Sequence, residues 1–422
     1  MSRPRPTVGA GLESSLEAAV RTQWSVIVAG LLRTTGDWDL AEDCAQDATE
    51  RALLTWPRDG VPDNPAAWLT SVARRRALDL LRRRSTESRA LQAWTAMTEA
   101  TAPTFDFGGG YADDRLRLLF TCCHPDLALR DRVALTLRTL CGLSTRDVAR
   151  LMLVSEPAMS QRLLRVRKQI LRQGLVMSVP PADQVQDRVA AVLAVIYLLF
   201  TEGYSATEGT GVRDELAEEA LALAQLATWL LPGHGEAHAL RALILLQHAR
   251  RPARTASDGT LVPLEEQDRT RWDSPLLAAG MESLRRARAA PDSTDGLVGI
   301  YRPQAEIAAL HSTAPTPAET DWEGIVAWYD LLLDATASPV VAMNRAVAIG
   351  LRDGPVAGLA VLEEVVDQHR LDGAPEVPAI RADLLRRAGD RAAAHEAYQT
   401  AHDAARTEAV RGYLRRRAAE LG

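Results

Sequence analysis

Between Ser155 and Lys168 the chain carries a dense set of side chains that can hydrogen-bond to nucleic acid. Gln pairs bidentately with adenine and Arg with guanine, so Gln161 and Arg162 are the candidates for reading base edges. Arg and Lys side chains also hold phosphate oxygens, which position a protein on DNA without reading sequence. The other polar members of the set are Ser160, Arg165, Arg167 and Lys168. We predict that the last three contact phosphates.

Two short helices joined by a tight turn would position these side chains within Ser144–Lys168. Ser144 and Asp147 form a capping-box pattern at the start of the first helix. Ser155 is an N-cap candidate for the second helix, and Pro157 suits its first turn. The residues expected to pack inward at helical spacing are Met159, Leu163 and Val166. The pattern predicts a helix-turn-helix that enters a major groove; the competing interpretation is an ordinary helical hairpin with a solvated arginine face.

A second basic stretch lies on a helix predicted to begin with Asn64 as its cap and Pro65 in its first turn. Trp68, Leu69, Val72, Ala73 and Leu80 are predicted to face a core. The basic run consists of Arg74, Arg75, Arg76, Arg82, Arg83 and Arg84. Such a run beside an exposed loop suits phosphate contacts, although basic helix ends also occur because of the helix dipole.

An acidic stripe is predicted on the helix that precedes this loop. Its members recur at i, i+3, i+4 and i+7, and they are Asp43, Gln46, Asp47 and Glu50. The apolar face of the same helix is predicted to hold Leu40, Ala41, Cys44, Ala45, Ala48 and Leu53. Asp39 and Glu42 form a capping-box pattern at its start. The stripe is either a solvated face or a docking surface for a partner rich in arginine.

Composition favours a helical chain of two or three domains. The chain has 422 residues, of which 47% are hydrophobic and 5% aromatic, and it is rich in Ala, Leu and Arg. Four cysteines in this length do not make a disulfide framework, which fits a reducing compartment. No signal peptide is recognised, and the longest apolar run, Val189–Phe200, is shorter than a bilayer span. We therefore expect a cytoplasmic protein with no membrane segment and a buried helix at 189–200.

Charge is distributed unevenly along the chain. Residues 1–177 carry 25 Arg and Lys against 20 Asp and Glu, a net charge of +5, whereas the remainder has a net charge of −11. The two parts are therefore expected to face different partners. The first ten residues are predicted to be a disordered arm. The Pro, Gly and Thr content of Ser85–Tyr111 indicates a linker.

The second half reads as a long helical region. Two segments align with Arg345 over Arg381, a step of 36 residues with turns at Asp353–Gly354 and Gly389–Asp390. This step is close to the tetratricopeptide period and predicts stacked helix pairs, either with a concave surface for a protein or peptide or as plain scaffolding. The His234–His238 pair is predicted to lie at a helix surface. The run Cys122, Cys123 and His124 lacks a second ligand pair at zinc-like spacing, so no metal site is predicted.

Three motifs together resemble the extracytoplasmic-function (ECF) family of RNA polymerase sigma factors. AEDCAQDATERAL, NPAAWLTSVARRRALDLLRR and GLSTRDVARLMLVSEPAMSQRLLRVRKQI look like its regions 2.2, 2.3 to 2.4 and 4.2. VLAVIYLLFTEGYSA, EEQDRTRWD, HSTAPTPAETDW and SPVVAMNRAVA resemble the tetratricopeptide-like (DUF6596-type) extension of one subgroup. The resemblance implies an all-α fold: two small sigma bundles at 12–85 and 112–177, a linker at 86–111, and a helical extension at 180–422.

The resemblance also implies partners. In this family Asp43, Gln46, Asp47 and Glu50 would dock on the clamp helices of the largest polymerase subunit. Region 4 would meet the flap of the second-largest subunit. The −10 element would be held by Asp59, Asp63, Asn64, Trp68, Arg74, Arg75 and Arg76, with a base flipped into the preceding loop. Relatives often carry Asn where this chain has Arg75. In the helix that reads the −35 element, relatives often carry Lys-Ser-Arg; the matching residues of this chain are Ser160, Gln161 and Arg162.

These patterns predict an alternative sigma factor that directs polymerase core to specific promoters. Its extension is expected to regulate this activity, and a regulatory protein or peptide is a candidate partner of the extension. No catalytic residue and no cofactor are expected, because no phosphate loop, nucleophile elbow or metal-ligand set is recognised. One alternative is a stand-alone helix-turn-helix regulator with a tetratricopeptide sensing domain. Another is an enzyme that acts on a small molecule bound in the helical array; the only sequence feature that supports it is the pair His234 and His238.

Overall fold

The computed structural model describes residues 23–84, 110–205, 212–290 and 299–421, apart from short gaps at 153, 176, 178–184, 372–373, 375 and 406. In these ranges the chain is built from α-helices and short 3-10 turns, and the one β pairing is an isolated bridge between Thr255 and Leu261. This confirms the prediction of an all-α fold. The predicted N-terminal arm and positions 86–109 of the predicted linker lie outside the described residues.

The chain divides into two compact units, Met1–Val195 and Ile196–Gly422. The first unit contains a helix at 23–35 (α1), followed by α2 (Trp38–Asp59), α3 (Pro65–Arg84), α4 (Gly110–Cys122), α5 (Leu129–Thr139), α6 (Thr145–Leu151) and α7 (Glu156–Arg172). We call α1–α3 the first bundle and α4–α7 the second bundle. These helices are amphipathic, and most of the stability of such a helix comes from the packing of its apolar face.

The start of α2 differs from the capping-box prediction. Asp37 is the N-cap, and its carboxylate accepts a hydrogen bond from the backbone N–H of Leu40 at 3.0 Å. Asp39 lies in the first turn, and Glu42 is buried with 2% of its surface exposed. The Asp37 side chain already satisfies a first-turn N–H group, so the Asp39–Glu42 capping box was a wrong prediction, and the Glu42 carboxylate is left to find other partners.

The remaining helices are α8 (Val185–Ser205), α9 (Val212–Leu230), α10 (Gly235–His248), α11 (Ser274–Ala289), α12 (Tyr301–Thr313), α13 (Trp322–Thr336), α14 (Pro339–Arg352), α15 (Pro355–His369), α16 (Glu376–Ala388), α17 (Arg391–Ala404) and α18 (Glu408–Ala419). The apolar run at 189–200 is the buried centre of α8, as predicted. None of the helices in the described part of the chain combines the length and the apolar content that a bilayer span requires.

The predicted 36-residue step corresponds to two successive helix pairs, α14–α15 and α16–α17. Arg345 and Arg381 occupy equivalent places on the first helix of each pair. Arg345 binds Asp330 at 2.5 Å, and Arg381 binds Glu363 at 2.7 Å, in each case on the preceding helix. Gly354 (φ +105°) and Gly389 (φ +88°) make the turns within the pairs, in a region of backbone space that favours glycine. The helical repeat is thus confirmed.

The histidine pair at the start of α10 is not a surface pair. His234 is the N-cap of α10, where its Nδ1 accepts from Ala237 N–H at 3.3 Å. His238 is buried, and its Nε2 lies 2.9 Å from the carbonyl oxygen of Pro232. Glu236, between them, accepts from the backbone N–H groups of Tyr301 and Arg302. The surface prediction for His238 was therefore wrong, because this face of α10 packs against neighbouring helices.

His311 at the end of α12 makes the second unit sensitive to acid. Burial, together with Arg250 and Arg269, lowers the pKa of His311 from 6.5 to about 4. The unfolded chain therefore binds a proton more readily, and the free energy of unfolding falls as the pH drops below 6.5. We expect a loss of about 2 kcal/mol from this group between pH 7 and pH 5, measured by urea unfolding. A His311→Phe variant, which keeps a ring beside Trp322, should lack this component; an equal loss in both proteins would contradict the assignment.

Candidate nucleic-acid interface

The helix-turn-helix forms as predicted, from α6 and α7. Ser144 caps α6, where its hydroxyl accepts from Asp147 N–H at 3.1 Å and also donates to the Asp147 carboxylate at 2.6 Å. Ser155 is the N-cap residue of α7, and Pro157 lies in the first turn. The inward residues Met159, Leu163 and Val166 are buried, together with Ile170. The local patterns of this segment were therefore sufficient to predict its structure.

The outer face of α7 presents hydrogen-bonding side chains to solvent. Ser160, Gln161, Arg165 and Lys168 are exposed. Arg162 is partly buried and its guanidinium lies 3.6 Å from the carboxylate of Asp131. A groove of about 580 Å³ runs along this face, lined by four basic side chains, Arg162, Arg165, Lys168 and Arg172, and by the carboxylate of Asp131. The groove is basic and open, as contact with phosphates requires.

Arg167 is the exception to the predicted outer face. Only 12% of its side chain is exposed, and its guanidinium binds Asp39 at 2.5 Å and Glu42 at 2.6 Å. It also lies over the ring of Trp38, 5.8 Å from the centroid. The prediction that Arg167 contacts phosphate was therefore wrong for this structure, because two carboxylates of the first bundle already bind its guanidinium N–H groups.

Glu42 is the centre of a buried polar cluster between the two bundles. Its carboxylate binds Arg138 at 2.8 Å and Arg167 at 2.6 Å, and it accepts from the hydroxyl of Thr139 at 3.0 Å. Only 3% of the Glu42 side chain is exposed. We call Glu42, Arg138, Thr139 and Arg167 the Glu42 cluster. Three charge-assisted bonds from one buried carboxylate hold α2 against α5 and α7.

Two further contacts connect the bundles. The indole Nε1 of Trp24 donates to the carbonyl oxygen of Thr139 at 3.0 Å, and Arg33 binds Asp114 at 2.8 Å. Gly142 (φ +75°) lies against the Trp24 ring, where a Cβ atom would approach the ring to 2.9 Å. Sequence reasoning missed this interface because its partners are separated by 81 to 128 residues. The available signal was Glu42 itself, a carboxylate on the otherwise apolar face of α2.

The acidic stripe of α2 lies on the side of the helix away from its buried face, which carries Glu42. Asp43, Gln46 and Glu50 are exposed, and Gln46 donates to Glu50 at 3.1 Å. Asp47 is partly buried and forms an ion pair with Arg76 of α3. The predicted apolar face is buried at Leu40, Ala41, Cys44, Ala45 and Ala48. Leu53 is 49% exposed, so its assignment to that face was wrong; Ala52 and Trp56 are buried there instead.

The loop between α2 and α3 is short and exposed. Asn64 caps α3, as predicted, by accepting from Ala67 N–H at 3.0 Å. Asp63 is exposed, and Asp59 binds Arg58 at 2.8 Å, which lowers the pKa of the Asp59 carboxyl. The helix α2 continues through Pro57 to Asp59, so the loop comprises residues 60–64.

On α3 the aromatic and basic candidates differ in their surroundings. Trp68 packs edge-on against Trp56, with ring centroids 5.5 Å apart. Arg75 is exposed and Arg74 is partly buried, whereas Arg76 is held by Asp47. The three arginine candidates for the −10 element thus differ: Arg75 is exposed, Arg74 is partly buried and Arg76 is paired with Asp47 of the acidic stripe.

The cysteine pair before α5 is structural. Cys122 and Cys123 are buried, and burial raises the pKa of both thiols, that of Cys123 to about 11. Burial and Arg188 lower the pKa of His124. A thiol with a raised pKa is a poor nucleophile and a poor metal ligand. Among the described residues no group of three His, Cys, Asp or Glu side chains is arranged to hold a metal ion.

Comparison with known families agrees with this geometry. Residues 25–87 match the model for sigma-70 region 2, and residues 117–170 match that for sigma-70 region 4. Residues 188–288 match a family of unknown function (DUF6596). An uncharacterized protein of Rhizobium meliloti (strain 1021), R00370, is 40% identical over 392 residues, which cover 91% of this chain and 90% of that protein.

The match to region 2 covers most of the first bundle, and the match to region 4 covers most of the second bundle. The first match contains the acidic stripe and the basic helix α3, and the second contains the helix-turn-helix. These regions bind RNA polymerase core and promoter DNA in transcription initiation, and sigma factor families are not enzymes. The chain belongs to the ECF-type sigma factors, among those that carry a helical C-terminal extension.

Proposed function

We propose that this sigma factor directs polymerase core to specific promoters, and that its two bundles bind different parts of the polymerase and the promoter. The acidic stripe docks on the clamp helices of the largest subunit. Asp59, the loop 60–64 and α3 hold the −10 element, while Gln161 and Arg162 of α7 read the −35 element. The proposed domains are region 2 at 12–85, the linker at 86–111, region 4 at 112–177 and the helical extension at 180–422. The observation that carries the proposal is the exposure of the stripe and of the outer face of α7. In vitro transcription with purified core and mapped start sites tests it.

Promoter binding in this form requires the bundles to separate. The −10 and −35 elements are 25 positions apart, which is about 85 Å of duplex at 3.4 Å per base pair. The Glu42 cluster joins the bundles by bonds of 3.0 Å or less. We infer that the packed arrangement is the polymerase-free state, and that core binding compensates for the loss of these contacts. In the packed state Arg167 cannot reach phosphate, which supports weak DNA binding by the free protein.

Loss of the base-reading pair should abolish promoter selectivity. In a Gln161→Ala/Arg162→Ala variant we expect promoter-directed transcription to fall about 100-fold, because each bidentate base contact contributes about 1–3 kcal/mol. The measurement is run-off transcription by reconstituted holoenzyme. Arg130→Ala is the matched control, since Arg130 is an exposed arginine of the same bundle. Lys168→Ala should instead weaken all promoters alike and reduce the salt dependence by about one unit.

A double variant that transcribes at the wild-type rate would remove α7 from the −35 assignment. A loss of equal size for every sequence placed at −35 would mean that Gln161 and Arg162 hold phosphates rather than bases.

We also propose that the extension regulates the sigma bundles, by masking them or by stabilising their polymerase contacts. Its net charge of −11 opposes the +5 of residues 1–177 and supports an electrostatic component. Truncation after residue 177 is expected to change the rate or the selectivity of promoter-directed transcription, measured with equal amounts of folded protein. Unchanged rate and selectivity would contradict this regulatory role. A salt-dependent difference between the two proteins would support the electrostatic component.

A further inference from the structure

A cavity of about 550 Å³ lies within the second unit, between α12, α13 and α14 and the end of α10. Its polar wall includes Gln247, Gln304 and Asn344, and its apolar wall includes Leu332, Val340 and Val341. A cavity of this size with an apolar wall and a few convergent polar groups is typical of a small-molecule site. Nothing in the sigma mechanism uses these residues.

The charge of this cavity is one-sided. Arg250 is the cation in its wall, and none of the described residues that line it is Asp or Glu. Arg250 donates to the hydroxyl of Tyr204 at 2.9 Å, and its Nε is buried without a hydrogen-bond partner. Arg254 lies next to it, stacked on the same tyrosine ring with its Cζ 3.6 Å from the centroid. Both arginines contact neutral groups of α8, and among the described residues neither has a carboxylate within ion-pair distance.

His311 connects this cavity to a second one of about 470 Å³, because it lines both. Arg269 lines the second cavity and donates to the carbonyl oxygens of His311 and Ala314, at 2.9 and 2.6 Å. Its Nε is also buried without a partner. The His311 imidazole is neutral at pH 7, since burial and the two arginines lower its pKa to about 4. A neutral imidazole at this place can donate one hydrogen bond to an anion.

Several other arginines of the second unit are neutralised by protein carboxylates. Arg288 binds Glu306, Arg345 binds Asp330, and Arg387 binds Asp383 and Glu265. Arg250, Arg254 and Arg269 instead form a positive cluster that carbonyl and hydroxyl oxygens solvate only partly. A partly buried cation without a counter-charge is costly, and an anion from outside the chain would offset this cost.

We propose that the cavity binds a small organic anion, whose carboxylate or phosphate group lies at Arg250 and His311 and whose apolar part packs on Leu332, Val340 and Val341. The occupied site would bring α8, α10, α12 and α14 together around one ligand. The extension would thereby respond to a metabolite class, which goes beyond promoter binding and does not depend on it.

The test is a thermal unfolding titration of the full chain with inorganic phosphate and, separately, with benzoate, at constant ionic strength set by chloride. We expect at least one of these anions to raise the melting temperature in a saturable manner. Arg250→Gln should weaken the apparent affinity about tenfold or more, because a hydrogen bond to a charged group contributes about 1.5–3 kcal/mol. Arg271→Gln is the matched control, an exposed arginine of the same segment that lines neither cavity.

Asn344→Asp provides a second test that leaves every arginine contact in place. Asn344 is exposed at the cavity wall, so the isosteric change should fold normally while its carboxylate repels the ligand. Saturation by phosphate but not benzoate would assign a phosphate monoester, and the reverse would assign an aromatic or aliphatic carboxylate. The proposal fails if neither anion stabilises the protein more than chloride does. It also fails if Arg250→Gln and Asn344→Asp respond as the wild type does.

Discussion

Replacing Glu42 with glutamine is expected to lower the free energy of unfolding of the first unit by about 3 kcal/mol, since loss of one partner from a buried ion pair costs about 3–5 kcal/mol. The substitution keeps the shape of the side chain but removes the counter-charge of Arg138 and Arg167, which are 14% and 12% exposed. The bundles should then separate more readily. Urea unfolding measures the stability, and small-angle scattering of the full chain measures the separation.

Asp39→Asn is the matched control for this prediction. Asp39 binds the same guanidinium of Arg167, but 71% of its side chain is exposed. Exposed ion pairs contribute at most about 1 kcal/mol, so this variant should stay close to the wild type. Equal stability of the Glu42→Gln and Asp39→Asn variants would show that the cluster does not hold the bundles together. Because Glu42→Gln leaves Arg167 held only by the exposed carboxylate of Asp39, it should also strengthen salt-dependent binding to non-specific DNA.

Reversal of the stripe should prevent assembly with polymerase. For Asp43→Lys/Asp47→Lys we expect the affinity for core to fall about 100-fold or more, because attraction to a basic surface is replaced by repulsion and close interfacial charge pairs couple by about 1.5–7 kcal/mol. Competition with a labelled sigma factor for a limiting amount of core measures the affinity. Asp79→Lys is the control, an exposed carboxylate of α3 outside the stripe.

The Asp47 substitution also removes the ion pair with Arg76, so a second variant isolates the docking effect. Asp43→Lys/Glu50→Lys changes two exposed carboxylates and leaves that ion pair intact. Both double variants should lose affinity together. If holoenzyme assembles at full strength with either of them, the stripe is a solvated face and polymerase docks elsewhere.

Local chemistry made much of this structure predictable. The caps at Ser144 and Asn64 and the buried positions Met159, Leu163 and Val166 depend on residues within one or two turns of each other. The same holds for the paired helices around Arg345 and Arg381, because a repeated sequence encodes a repeated packing unit.

Three of the wrong predictions, at Glu42, Arg167 and His238, concern residues whose partners are distant in the chain. Glu42 fits a capping pattern until Arg138 and Arg167 approach it from the second bundle, and Arg167 looks solvent-facing on α7 alone. His238 lies in a helix whose buried surface depends on α11 and α12. Tertiary contacts decided each of these cases, and helical periodicity describes only which residues share a face.

The indole of Trp24 lies at the boundary between the bundles, with its N–H on the Thr139 carbonyl, Gly142 beneath the ring and the Arg138 guanidinium 5.9 Å from the centroid. Separation of the bundles would expose this ring to water and remove its hydrogen bond. The difference between the emission spectra of the wild type and a Trp24→Phe variant therefore provides a built-in optical signal. With it, the opening of this sigma factor by polymerase can be timed without any attached dye.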